Sequence, residues 1–160
     1  MEHDVYDDDG AILEVVEKFE RCEYPVEQFT HARHLTVACW YLGTSPADQA
    51  LVRLREGLSR FLAHHGKQGY HETLTRFWME LLGTYLGEFA AGTPITTRVN
   101  RALQCYGSKD VVFSYYTRER VMSEIARREW VEPDLRAIEE SRAGLPSEDF
   151  RRLVEQWLAG

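Results

Sequence analysis

Helix-starting residues recur along this chain, and each stands directly before a segment whose apolar residues repeat every three or four positions. Thr30 precedes His31, Ser45-Pro46 and Thr93-Pro94 pair a capping hydroxyl with proline, and Ser147 opens the last segment. A hydroxyl that accepts an unpaired backbone N–H, followed by proline with its fixed φ, is the expected start of a helix. The runs that follow keep the helical period: Leu51, Leu54, Leu58, Phe61 and Leu62 in one, Ile95, Val99, Ala102, Leu103 and Tyr106 in another. An earlier helix is predicted from Gly10, carrying Ile12, Val15, Val16 and Phe19, and ending near Cys22. A helix from Tyr70 or His71 carries Leu74, Trp78, Leu81, Leu82 and Tyr85. Shorter ones are expected at "KDVVFSYY", after Thr117 and after Ser123.

Strand patterning is nearly missing. Only "VVFSYY", 111–116, competes with a helical assignment. The predicted fold is therefore all-α: a compact single-domain helical bundle of about six to eight helices joined by short connections. Residues 1–9, "MEHDVYDDD", are expected to be a loose acidic N-terminus, with the helical domain spanning 10–160.

A chain of 160 residues is long enough for one core. Its formal net charge of -7 argues against a nucleic-acid partner, because phosphate binding needs a concentrated basic surface. Arg118, Arg120, Arg127 and Arg128 alternate with Glu119, Glu124 and Glu129, the pattern of a salt-bridged helical face. No apolar run approaches the roughly 18 residues that span a bilayer, so no membrane association is expected. The 3 cysteines are widely spaced, without a CxxC pair, which points to a reducing, cytoplasmic setting. Cys39 sits in an apolar run and reads as a small core residue.

Polar residues on the inward faces carry the functional signal. On a helix starting after Thr30, His31 and His34 share a stripe with Leu35, Ala38 and Leu42. On the helix near His71, that residue lies in line with Leu74, Trp78 and Tyr85. All three histidines are expected in a first helical turn, where the helix dipole and burial both favour neutral imidazole. His64 and His65 suit the end of their helix instead.

The segments "FTHARHLTVACWYL", "GYHETLTRFW" and "SYYTRERVMSEIARREWVEPDL" together resemble a family of short helical bacterial proteins, over about Phe29 to Leu135. The matching elements are Phe29, His31, His34 and Leu35, then Tyr70, His71, Glu72, Thr73, Thr75 and Trp78, and later Tyr116, Arg118, Trp130, Pro133 and Asp134. The resemblance implies that the histidine groups matter and attaches no reaction to them.

The expected function is a small-molecule enzyme without a tightly bound cofactor. His31, His34, His71 and Glu72 would be its acid/base groups, serving condensation, cyclisation of the Pictet–Spengler type, or isomerisation. Tyr70, Thr75, Arg76, Trp78 and Trp40 would contact the substrate, with Tyr41, Phe77 and Tyr85 as further aromatic lining. One alternative makes His31, His34 and His71 three nitrogen ligands of zinc or iron, although neither HExxH nor ExxH is present. Another is a noncatalytic module that binds a small anion at converging helix starts, with Arg33, Arg76 and Arg98 adding charge. A homodimer is expected through the terminal helix, whose Trp157 and Leu158 extend an apolar stripe.

Overall fold

The computed structural model describes residues 6–138, and among them the chain is all helical, with no strand. The described residues form seven α-helices: α1 (Asp9–Glu20), α2 (His31–Thr44), α3 (Ala47–His64), α4 (Glu72–Leu86), α5 (Ile95–Tyr106), α6 (Arg118–Val121) and α7 (Glu124–Arg128). Two 3-10 segments, Val26–Gln28 and Lys109–Ser114, complete the described elements. The terminal helix expected after Ser147, and the dimer contact assigned to it, lie outside the described residues.

α2 is the centre of the bundle, packed against α1, α3, α4 and α5. Its sequence explains the position: Leu35, Thr36, Val37, Ala38, Cys39 and Tyr41 are all buried, so the helix is covered on most of its circumference. Thr36 is tolerated there because its hydroxyl donates to the Ala32 carbonyl and meets the Tyr6 hydroxyl at 2.9 Å. That contact revises the expected boundary of the N-terminus. Tyr6 is buried, its N–H donates to Asn100 Oδ1, and Asn100 Nδ2 donates back to the Tyr6 carbonyl. Asp8 then caps α1 by accepting from the Ala11 N–H.

Most predicted starts hold. Thr30 accepts from the Arg33 N–H, Thr117 from Arg120 and Ser123 from Ala126. Both proline-led helices begin one residue later than predicted, at Ala47 and Ile95. Pro46 and Pro94 occupy the cap positions, and the Ser45 hydroxyl instead accepts from Arg53. The strand rival "VVFSYY" is resolved as the 3-10 segment leading into buried Tyr115 and Tyr116.

Close packing of α1 on α3 depends on Gly57, where a Cβ would lie 2.8 Å from the Phe19 ring. Phe19 stacks on Phe29 at 4.6 Å, and Phe29 in turn packs on Phe61 and on the His34 imidazole, at 5.1 and 4.3 Å. A backbone close approach in one helix pair thus sets the wall against which a candidate functional ring lies.

Candidate functional site

Between α2, α3 and the start of α4 lies a cavity of about 620 Å³. α2 contributes His31, His34, Leu35 and Ala38, while α3 contributes Leu54, Leu58, Phe61 and Leu62. Gly69, Tyr70, His71, Leu74, Thr75 and Trp78 form the α4 side. The lining is completed by Val26, Phe29, Val112 and Phe113 and by Lys109, Asp110, Arg118 and Met122, and these last four are exposed and mark the open side, the mouth. A largely apolar hollow of this size with a few polar groups is typical of small-molecule sites.

The three histidines all line this cavity, but their rings are engaged differently. His71 is the N-cap of α4 rather than part of its first turn. Its Nδ1 accepts from the Leu74 N–H at 3.1 Å, and its Nε2 lies 2.7 Å from the Val121 carbonyl. A carbonyl can only accept, so Nε2 carries the proton and both ring nitrogens are used. Burial, followed by Arg127 among the opposing charges, holds this imidazole below its usual pKa.

His31 keeps one nitrogen free. Its Nε2 donates to the Tyr106 carbonyl at 3.2 Å, which places the lone pair on Nδ1, and no described residue hydrogen-bonds that atom. Trp78 meets the ring edge-on at 4.8 Å. Burial lowers its pKa, the Tyr106 carbonyl opposes that, and the Lys109 charge adds to the lowering.

His34 forms no side-chain hydrogen bond with any described residue. Its ring lies against Phe29, and burial, reinforced by neighbouring His31, pushes its pKa down to about 4. At neutral pH it is an uncharged ring with one N–H and one lone pair, neither taken by a described residue.

Other expected site residues are divided between the cavity and its surroundings. Tyr70, Thr75 and Trp78 line it; Glu72, Arg76 and Trp40 do not. Glu72 is drawn to Arg55, whose Nε and Nη2 donate to the two carboxylate oxygens at 3.0 and 2.6 Å, and the Tyr70 hydroxyl donates to it at 2.6 Å. Burial would raise its pKa, but these hydrogen bonds and the Arg55 charge hold it below the usual carboxylate range. Arg76 pairs with Glu80 one turn along α4 and covers the Trp130 ring at 4.5 Å. Trp40 packs on the core outside the cavity wall, and Tyr41, Phe77 and Tyr85 are buried core residues. Thr75 donates its hydroxyl to the His71 carbonyl.

The anion-site cations do not converge either. Arg33 donates to the Gln28 carbonyl and covers Tyr24, and neither it nor Arg98 lines the cavity. For the metal alternative, His31 Nδ1 and the His34 ring keep free nitrogens, whereas both nitrogens of His71 are engaged by backbone. Among the described residues no group of three or more His, Cys, Asp or Glu side chains is placed to hold a metal ion. No described helix is long and apolar enough to cross a membrane. Cys39 is fully buried, and burial pushes its thiol up to about 12, far from a reactive thiolate.

Sequence reasoning missed Lys109, Asp110 and Arg118 at the mouth and Arg55 behind Glu72. Arg118 was read as part of a salt-bridged face and as an element of the family resemblance, yet its guanidinium lies 4.2 Å over the Phe113 ring and makes no ion pair with a described residue. The signal that could have marked Lys109 and Asp110 is their place just after a capping serine, Ser108, whose hydroxyl accepts from the Asp110 N–H. Arg55 offers no local signal, since its partner lies on another helix.

Comparison of the chain with protein-family models, with curated proteins and with solved structures found no match.

Proposed function

We propose that this chain is a small-molecule enzyme of the acid/base class, working in the cavity between α2, α3 and α4 and needing no tightly bound cofactor. The carrying observation is the pair of imidazoles in a largely apolar cavity that retain ring atoms unclaimed by any described residue, while the third, His71, has none left. An unpaired polar atom in such surroundings costs roughly 1–3 kcal/mol unless water or a ligand meets it.

His31 is the proton acceptor in this scheme. Its Nδ1 takes a proton from a C–H or N–H of the bound molecule, and the Tyr106 carbonyl, already holding Nε2–H, favours the imidazolium that forms. His34 remains neutral, because burial opposes its charge, and offers the substrate a hydrogen bond that orients it. Asp110 is the carboxylate on the cavity wall, and Glu72 serves through Arg55 and Tyr70 to fix the wall. Proton transfer of this kind contributes about 10²- to 10⁴-fold in rate and suits isomerisation, condensation or ring closure. The low pKa of His34 favours a second reading, a binding pocket without turnover, since a weakly basic ring hydrogen-bonds a ligand well and abstracts protons poorly.

The two separate in heavy water. A panel of aromatic ketones and imines is incubated with the protein, and deuterium uptake beside the C=O or C=N group is followed by proton NMR. The enzyme reading expects exchange above background for the compounds that bind, lost in His31→Gln while affinity changes little. Binding without exchange across the panel would contradict it and support the pocket alone.

A further inference from the structure

We propose that the cavity takes an apolar or aromatic molecule bearing a single carboxylate, with the carboxylate held at the mouth by Lys109 and Arg118 and the apolar body inside. This rests on the reading of the cavity as a ligand site and adds the class of ligand.

Both cations line the cavity, and neither forms an ion pair with a described residue. Acidic residues outnumber basic ones 26 to 19 in this chain, yet among the described residues the only carboxylate on the cavity wall, Asp110, lies outside ion-pair distance of both. Arg118 is placed by more than its own side chain. The preceding Thr117 is fixed by Asp134, which accepts from its N–H at 2.8 Å and its hydroxyl at 2.7 Å, and Phe113 lies beneath the guanidinium. Lys109 is near enough for its charge to be felt at His31, which links the mouth to the interior.

The interior is the wrong place for a charge. Leu35, Leu54, Leu58, Leu74 and Trp78 form much of its wall, and burying an ion among them would be costly. A ligand that keeps one charged end in the mouth and an apolar body inside matches both regions. Two cations and one carboxylate leave one net positive charge at the mouth, which suits a monoanion better than a dianion.

The test compares 3-(2-naphthyl)propanoate, its carboxamide and 3-(2-naphthyl)propylamine by calorimetric titration at low and high salt. The carboxylate is expected to bind roughly three- to tenfold tighter than the carboxamide at low salt, a gap that salt narrows. A Lys109→Gln, Arg118→Gln double variant should close the gap between acid and amide, and a far-UV circular dichroism spectrum and melting midpoint matching the native protein report that it is folded. Equal affinity of acid and amide in the native protein would overturn the proposal while leaving the cavity a ligand site. Tightest binding of the amine would assign recognition to Asp110 and overturn it as well. Binding of none of the three would remove the ligand-site reading along with it.

Discussion

His34 couples proton binding to folding more strongly than either neighbour whose pKa the fold lowers. Its imidazole is held at about 4 in the folded chain, against 6.5 for an unperturbed ring. A depressed histidine pKa means that the unfolded chain binds the extra proton first. The stability linked to this group is therefore complete above about pH 6.5 and is lost as pH falls through 4, by on the order of 3 kcal/mol in all. His31 and His71 shift in the same direction and add to the slope. Urea denaturation at neutral and mildly acidic pH should show this loss in the native protein and a flatter dependence in His34→Gln; identical slopes would show that His34 is not buried as described. His71 behaves differently, because its two hydrogen bonds join the start of α4 to Val121. His71→Ala should cost about 1–3 kcal/mol, and His71→Asn, which restores a capping acceptor, should recover part of it. Thermal melts of the two variants measure the difference.

At the level of elements, α1, α3 and the cavity wall are joined through one glycine. Gly57→Ala would drive a methyl group into Phe19 and disturb its stack on Phe29, beside His34. A destabilisation of about 1–3 kcal/mol is expected, read as a lowered denaturation midpoint with helical content retained. An unchanged midpoint would mean that the ring moves freely. α4 is tied to the segment after α7 by a single buried hydroxyl: Thr73 donates to the Glu129 carbonyl and accepts from the Val131 N–H. Helix starts were legible in the sequence because caps act within three residues, as Thr30, Thr117 and Ser123 do. The inward direction of His31 and His34 was legible from helical spacing. The partner of Glu72 was not, because Arg55, seventeen residues away, captures it through tertiary contact; Arg76 keeps a local i,i+4 partner in Glu80, and only its Trp130 contact comes from another segment. His71 was misplaced by one position, enough to turn an expected first-turn ring into a cap.

Over the molecule as a whole, α2 is buried on most sides and presents its first turn to the cavity, so the groups proposed to act are fixed to the central helix. A ligand that occupies the cavity only in the folded chain should raise its stability in step with concentration, by about 2.7 kcal/mol at a hundredfold excess over the dissociation constant. The distinction between two available rings and one fully engaged ring can be seen directly by nitrogen NMR of protein labelled with ¹⁵N-histidine, recorded before and after adding 3-(2-naphthyl)propanoate. His71 should keep its Nε2–H form and its shifts throughout, while the nitrogens of His34 and the Nδ1 of His31 move on titration. Movement confined to His71, with His31 and His34 unchanged at saturating ligand, would contradict the assignment of these two imidazoles as the working groups of the cavity.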